Sequence, residues 1–303
     1  MMAVSLLRKR LLKDKMTKSF MFILTVLSLL VLVFMGVGLY MKSRMILNEH
    51  SLWDLLTNAD WKPLSEEFGF LPFIIGTLAV TALSILIALP ISLLSAIYLS
   101  EYAHSWTKRV IFPVLDILAG IPSVVFGVWG TLIIVPWIAD KLGPHFVEYT
   151  SGYTVLASGI VLGVMILPIL VSLFIEIFTI VPQDYRDAAA SLGATKWQIS
   201  TKVILRKSMP GIIAAVVLAI SKAFGETIAV LMVCGNYAEI PHSLFDPCYP
   251  LPALIANNYG EMLSLPLYES ALMFAAFILF FIILVFNLVS RMMLQHVEKK
   301  FKL

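Results

Sequence analysis

Apolar positions dominate the chain in six long runs, and polar positions gather in the shorter segments between them. The runs cover approximately 20–41, 71–99, 110–138, 153–179, 211–235 and 269–290. Each reaches the roughly 20 residues that a helix needs to cross a hydrocarbon core about 30 Å thick. The pattern predicts an all-α, polytopic membrane protein with six transmembrane helices. The second and third runs are long enough to tilt and carry Pro90, Pro113, Pro122 and Pro136, so kinks or breaks are expected there. The first run, from Phe20 to Met41, is too long for the apolar region of a secretory signal, and no small-residue cleavage site follows it. It is expected to remain as an anchor helix.

Composition and charge support this picture and orient it. Of 303 residues, 60% are hydrophobic and 14% charged, well below the roughly one quarter of charged residues usual in soluble domains. Arg8, Lys9, Arg10, Lys13, Lys15 and Lys18 precede the first run, and the 180–210 connection holds Arg186, Lys196, Lys202, Arg206 and Lys207. Over alternate connections, 17 of the 22 Lys and Arg fall on one side and 4 on the other, with Lys222 inside a run. Because these residues resist translocation, both termini are expected on the cytoplasmic side. Trp53, Trp61 and Trp137 then sit near the outer interface as belt residues.

The candidate chemistry is sparse. The five histidines are scattered without a metal-ligand spacing, and no lysine follows a glycine as a P-loop requires. No metal, cofactor, catalytic residue or nucleic-acid partner is assigned, and any ATP hydrolysis must come from a partner. Cys234 near the outer end of the fifth run and Cys248 in an outer connection read as free thiols rather than as a disulfide.

Two segments depart from the simple pattern. In "TIVPQDYRDAAASLGATKWQISTKVILRKSMPG", Pro182 suits the first turn of a helix, Asp184 and Asp187 favour its positive end, the alanines propagate it and Gly193 stops it. Thr195 and Gln198 form a capping-box pattern that starts a second helix. Two short helices joined by a turn are expected, either as a docking element or as a solvated connector. In "LAGIPSVVFGVWGTLIIVPW", Gly120, Pro122, Gly127 and Gly130 serve close helix packing or unwind the backbone near Ser123.

These residues carry a resemblance. "DAAASLGA" followed by "VILRKSMPG" resembles the signature loop of ABC importer permeases: Asp187 stands for that family's Glu, Ala188, Ala189 and Gly193 match, and Arg206 stands where it has proline. "LAGIPSVVFGVWG" and "KAFGETIAVLMVCGN" resemble the permeases of phosphate-specific importers, the PstC-like subunit more than its PstA-like partner. The resemblance covers roughly 70–290. It implies a MetI-like core of five helices plus an N-terminal helix, in a bacterial cytoplasmic membrane. The division it implies is 1–69 for the basic N-terminus, first helix and outer loop, 70–290 for the permease domain, and 291–303 for a basic tail. It also implies a second, PstA-like permease, a PstB-like ATPase dimer docked on 183–207 through Asp187, Ala188, Ala189 and Gly193, and an external PstS-like phosphate-binding protein. In that setting the chain moves phosphate and performs no chemistry itself.

The stretch "SKAFGETIAV" places Lys222 and Glu226 inside an apolar run. A charge near the bilayer middle costs roughly 2.5–3.5 kcal/mol, which disfavours a lipid-facing position. Spaced four apart, the two are expected on one helix face. One reading is a structural ion pair. The other is a substrate pathway in which Lys222 attracts the anion, Glu226 keeps binding weak, and Ser123 and Thr227 donate hydrogen bonds. At Lys222 the phosphate-permease pattern favours arginine, so a bidentate clamp is not assumed. A permease for molybdate or sulfate, or a membrane enzyme or sensor using Lys222 and Glu226 as acid and base, are the rival readings.

Overall fold

The computed structural model describes residues 2–260 and 265–301, with side chains from 13 to 260 and from 265 to 295. Six helices among the described residues are long and apolar enough to span a membrane. The first, α1 (Met2–Lys42), runs unbroken from the basic N-terminal segment through the first apolar run. It touches the rest of the chain mainly along α14, where Gly36 approaches Phe280, and none of its described side chains is fully buried.

Between α1 and the second span lies a small cap made of α2 (Arg44–Glu49), α3 (Leu52–Thr57) and a hairpin of β1 (Trp61–Lys62) and β2 (Glu67–Phe68), with Trp61 opposite Phe68. Trp61 sets its ring edge-on to Phe68, Phe70 and Phe73, with centroids 5.6, 5.3 and 4.9 Å apart. It is therefore the centre of an aromatic cluster and not a belt residue. Aromatic edges pack better against each other than against headgroups, which explains the correction. Trp53 is 75% exposed, as an interfacial tryptophan should be.

The remaining helices form the core of the bundle. The second span is α4 (Leu71–Ile97), extended by one wide turn to Tyr102. Next come α5 (Ser105–Gly120) and α6 (Ser123–Trp129), the latter continuing through wide turns and α7 (Val135–Trp137) as far as His145. At the centre is α8 (Val155–Ile180), half buried and packed against α4, α5 and α11. Its start is fixed by Thr154, whose hydroxyl accepts from the Ala157 N–H at 3.1 Å. Then follow α9 (Gln183–Ser191), α10 (Lys196–Gln198), α11 (Leu205–Gly225), α12 (Ile228–Leu231), α13 (Leu251–Asn258) and α14 (Pro266–Phe301).

The break expected in the third run falls at Ile121 and Pro122, both in extended conformation. Proline pushes the residue before it out of helical geometry, so Ile121 is the natural place for the chain to turn. The fifth run likewise stops at Gly225 and resumes at Ile228. In the 180–210 segment, by contrast, the second helix is not the short one expected. From the capping box at Thr195, helix continues through α10 and a wide turn at 199–204 into α11, giving one span from Lys196 to Gly225. With arginine rather than proline at 206 no N–H is lost there, and Pro210 is absorbed inside α11.

Candidate functional site

The two helix breaks lie side by side. Gly127 of α6 faces Ala229 and Met232, so close that a Cβ at Gly127 would meet Met232 Sδ at 2.6 Å. One turn further, Thr131 Oγ1 donates to the Met232 carbonyl at 3.1 Å, tying together the two half-helices that follow the breaks. A Cβ at Gly130 would lie 2.6 Å from Val161 of α8. The packing and unwinding readings of this segment are thus divided between its residues. Gly127 and Gly130 admit close neighbours, whereas Gly120 and Pro122 end one helix and begin the next.

Side chains hold the second break open. Glu226 has extended backbone (φ −72°, ψ 125°), and its carboxylate accepts from the Ala229 N–H at 3.3 Å, capping the start of α12. The Thr227 hydroxyl donates to the Gly225 carbonyl at 3.2 Å, satisfying a group that the break would leave without a partner. Such local bonds offer the backbone an alternative to helix, so a Gly-Glu-Thr sequence stops a helix that its apolar neighbours would continue.

Consequently Lys222 and Glu226 do not share a helix face. The i, i+4 relation requires helix between them, and the helix ends at Gly225. Glu226 is half-buried beside a cavity of about 10 Å³, roughly one water in size, that Thr77 and Thr81 of α4 also line. Lys222 is exposed in the last turn of α11, where its charge complements the negative end of the helix dipole. It shares that unpacked stripe with Ala214 and Leu218, the latter 56% exposed. Lys222 belongs to none of the ion pairs among the described residues, which are Lys42–Glu269, Lys62 with Asp60 and Glu67, and Arg186–Glu101. Ser123 is half-buried at the first turn of α6, near the other break.

The other candidate site is the segment around α9. Pro182 sits one residue before the helix rather than in its first turn, and Asp184 occupies that turn. Gly193 has φ +77°, with no atom within 4 Å of where a Cβ would stand, so backbone conformation and not space requires glycine there. The capping box is complete: Thr195 Oγ1 accepts from Gln198 N–H at 3.3 Å, and Gln198 Oε1 accepts from Thr195 N–H at 2.9 Å. Asp187, Ala188 and Gly193 are exposed and Ala189 is half-buried. Leu192 and Trp197 stand beside them at 89% and 54% exposure.

One element here escaped the sequence reading. Arg186 reaches from α9 to Glu101 at the end of the second span, its Nε at 3.2 Å and an Nη at 2.9 Å from the two carboxylate oxygens. The same guanidinium donates to the Val181 and Phe178 carbonyls at 2.6 and 2.9 Å. Both side chains are mostly buried, 16% and 13% exposed. The clamp lines a cavity of about 730 Å³ at the junction of α4, α8 and α9. A position 85 residues away has no sequence signal to mark it as the partner.

Comparisons with known proteins account for this architecture. Residues 88–303 match the family described as the binding-protein-dependent transport system inner membrane component. The phosphate transport system permease protein PstC of Pasteurella multocida is 35% identical over 82% of this chain and 81% of its own length. The probable ABC transporter permease protein YqgH of Bacillus subtilis is 38% identical, over 87% and 85%. Among solved structures, an inward-facing MetNI methionine ABC transporter chain superposes with a TM-score of 0.53 at 18% identity, covering 73% of this chain and 93% of that one. Six membrane helices, a broken pair of them and a capped helix turn thus belong to a MetI-like ABC transporter permease, and this chain is a member of the binding-protein-dependent transport system inner membrane component family.

Proposed function

We propose that this permease forms half of the membrane pathway for inorganic phosphate, with Lys222 as the positive charge that the anion meets between two permease subunits. The observation that carries the reading is the position of Lys222: exposed on the unpacked stripe of α11, at the end of a helix broken inside the membrane region. A lipid-facing charge at that depth costs roughly 2.5–3.5 kcal/mol, so protein or water must lie opposite it. Relatives named for phosphate transport supply the cargo. Ser123 donates from the neighbouring break, while Glu226 and Thr227 shape the second break, the Glu226 carboxylate keeping the site weak enough to release its anion.

The partners in this reading are a PstA-like permease against the unpacked faces of α5, α6 and α11, an external PstS-like phosphate-binding protein, and a PstB-like ATPase dimer. The ATPase docks on 183–207 through Asp187, Ala188, Ala189 and Gly193, with exposed Leu192 and Trp197 as apolar anchors. Both termini then lie in the cytoplasm, in keeping with the excess of Lys and Arg on that side.

Radiolabelled phosphate uptake tests the proposal. One charge-assisted contact is worth about 1.5–3 kcal/mol, so Lys222→Gln should lower uptake about 10- to 100-fold while Lys222→Arg retains it. Undiminished uptake by correctly inserted Lys222→Gln refutes the pathway role. Competition by molybdate or sulfate as strong as by unlabelled phosphate would reassign the cargo.

A further inference from the structure

Outside the pathway and the docking segment, Cys234 and Cys248 are buried free thiols, as their sequence positions suggested, and one backbone bond holds them close together. We propose that Cys234 and Cys248 join as a disulfide that staples the loop 235–247 onto the outer half of the broken span. The Cys248 N–H donates to the Cys234 carbonyl at 2.8 Å, and Gly235 and Cys248 form a parallel β-bridge. Through that one bond, covalent geometry keeps the two Cα atoms within about 6.7 Å, inside the range a disulfide spans. Both residues are fully buried.

The loop is already shaped for the bond. Asp246 accepts from the His242 and Ser243 N–H groups, its carbonyl receives the Val155 N–H at 3.0 Å, and Phe245 stacks on Phe146. Gly76 of α4 leaves room for Cys248, whose Cβ stands 3.5 Å from where a glycine Cβ would be. Among the described residues no third His, Cys, Asp or Glu joins the pair to make a metal site.

Oxidation needs a protein dithiol oxidase in its disulfide form. One cysteine thiolate attacks that disulfide, giving a mixed disulfide and one oxidase thiol. The second cysteine thiolate then displaces the other oxidase thiol, so two protons and two electrons leave the pair and the oxidase becomes a dithiol. The neighbouring Cys234 thiol and burial push the Cys248 thiol up, which suppresses thiolate once the loop has closed. The bond therefore forms during folding and afterwards resists exchange. Cys234 follows α12, and the Cys248 segment leads into α13, whose Leu251 N–H is held by Thr77 of α4. The staple makes α12 move with α4 and α13.

The proposal rests on the outward placement of this loop. With two cysteines in the chain, the test is alkylation of denatured membranes by a polyethylene-glycol maleimide. The expected result is no mass step without reductant and two after reduction, with Cys234→Ser giving one step in either condition. Two steps without prior reduction overturn the disulfide. Outward placement is read separately, by an impermeant maleimide on intact cells carrying Leu64→Cys in a Cys234→Ser, Cys248→Ser background, so the two ideas fail independently.

Discussion

Glu101→Ala gives the sharpest test of how α9 is held. Arg186 makes two bonds to Glu101 and two to carbonyls at the end of α8, at distances of 2.6–3.2 Å. With 16% and 13% exposure the pair is too buried for solvent to screen it strongly. Breaking a buried pair by removing one partner costs about 3–5 kcal/mol. The two remaining carbonyl bonds put Glu101→Ala near the lower end, about 3 kcal/mol. That loss acts on the local opening of α9, since α8 and α4 pack independently of it. Trypsin cleavage after Arg186 requires the guanidinium to leave its clamp, and when opening is fast relative to cleavage the rate follows the open population. In membranes with the cytoplasmic face accessible, Glu101→Ala should accelerate that cleavage about 100-fold. Glu101→Gln, which keeps one acceptor, should fall between it and the parent. Acceleration below about 3-fold for Glu101→Ala would mean the clamp contributes under about 0.7 kcal/mol and would refute the reasoning.

Other predictions address the docking turn and the paired breaks. Gly193→Val should weaken ATPase co-purification while leaving membrane insertion intact, because φ +77° is strained for a β-branched residue by about 1–2 kcal/mol or more. Gly193→Asn, which tolerates that conformation, should be milder, and equal behaviour of the two variants in a pull-down would count against the backbone argument. Gly130→Ala should destabilise the detergent-solubilised permease by about 1–3 kcal/mol, read as a lowered midpoint of thermal aggregation, since its Cβ would lie 2.6 Å from Val161 and 2.9 Å from Val233. An unchanged midpoint would show that α6 has room to shift.

The number of spans was legible because each requires only length and apolarity, but two were misplaced: the third run, 110–138, gives a span at Ser123–His145, and the fifth, 211–235, one at Lys196–Gly225. The capping box was legible for the opposite reason: Thr195 and Gln198 need nothing beyond three residues of chain. Positions governed by competition between local and long-range forces were harder. Glu226 looked like a helical partner of Lys222 because spacing assumes continuous helix, whereas its carboxylate bonds the Ala229 N–H and helps end that helix. Trp61 looked interfacial by depth, yet three phenylalanines brought in by the hairpin and α4 enclose it. Arg186 and Glu101 meet only after α4 and α8 have packed, so neither sequence neighbourhood announces the other.

The unbroken helix from the capping box to Gly225 makes a lever. Its 30 residues span about 45 Å at 1.5 Å rise per residue, with the proposed docking turn at one end and Lys222 about 40 Å away near the other. A rotation of about 5° about the docking end would sweep Lys222 through about 3.5 Å at that radius. That displacement exceeds the length of a hydrogen bond, so a small tilt imposed from below is enough to make or break contact with an anion. Gearing of this kind asks little motion of whatever grips the cytoplasmic end, and it makes helix stiffness across the wide turn at 199–204 a determinant of how faithfully a push arrives.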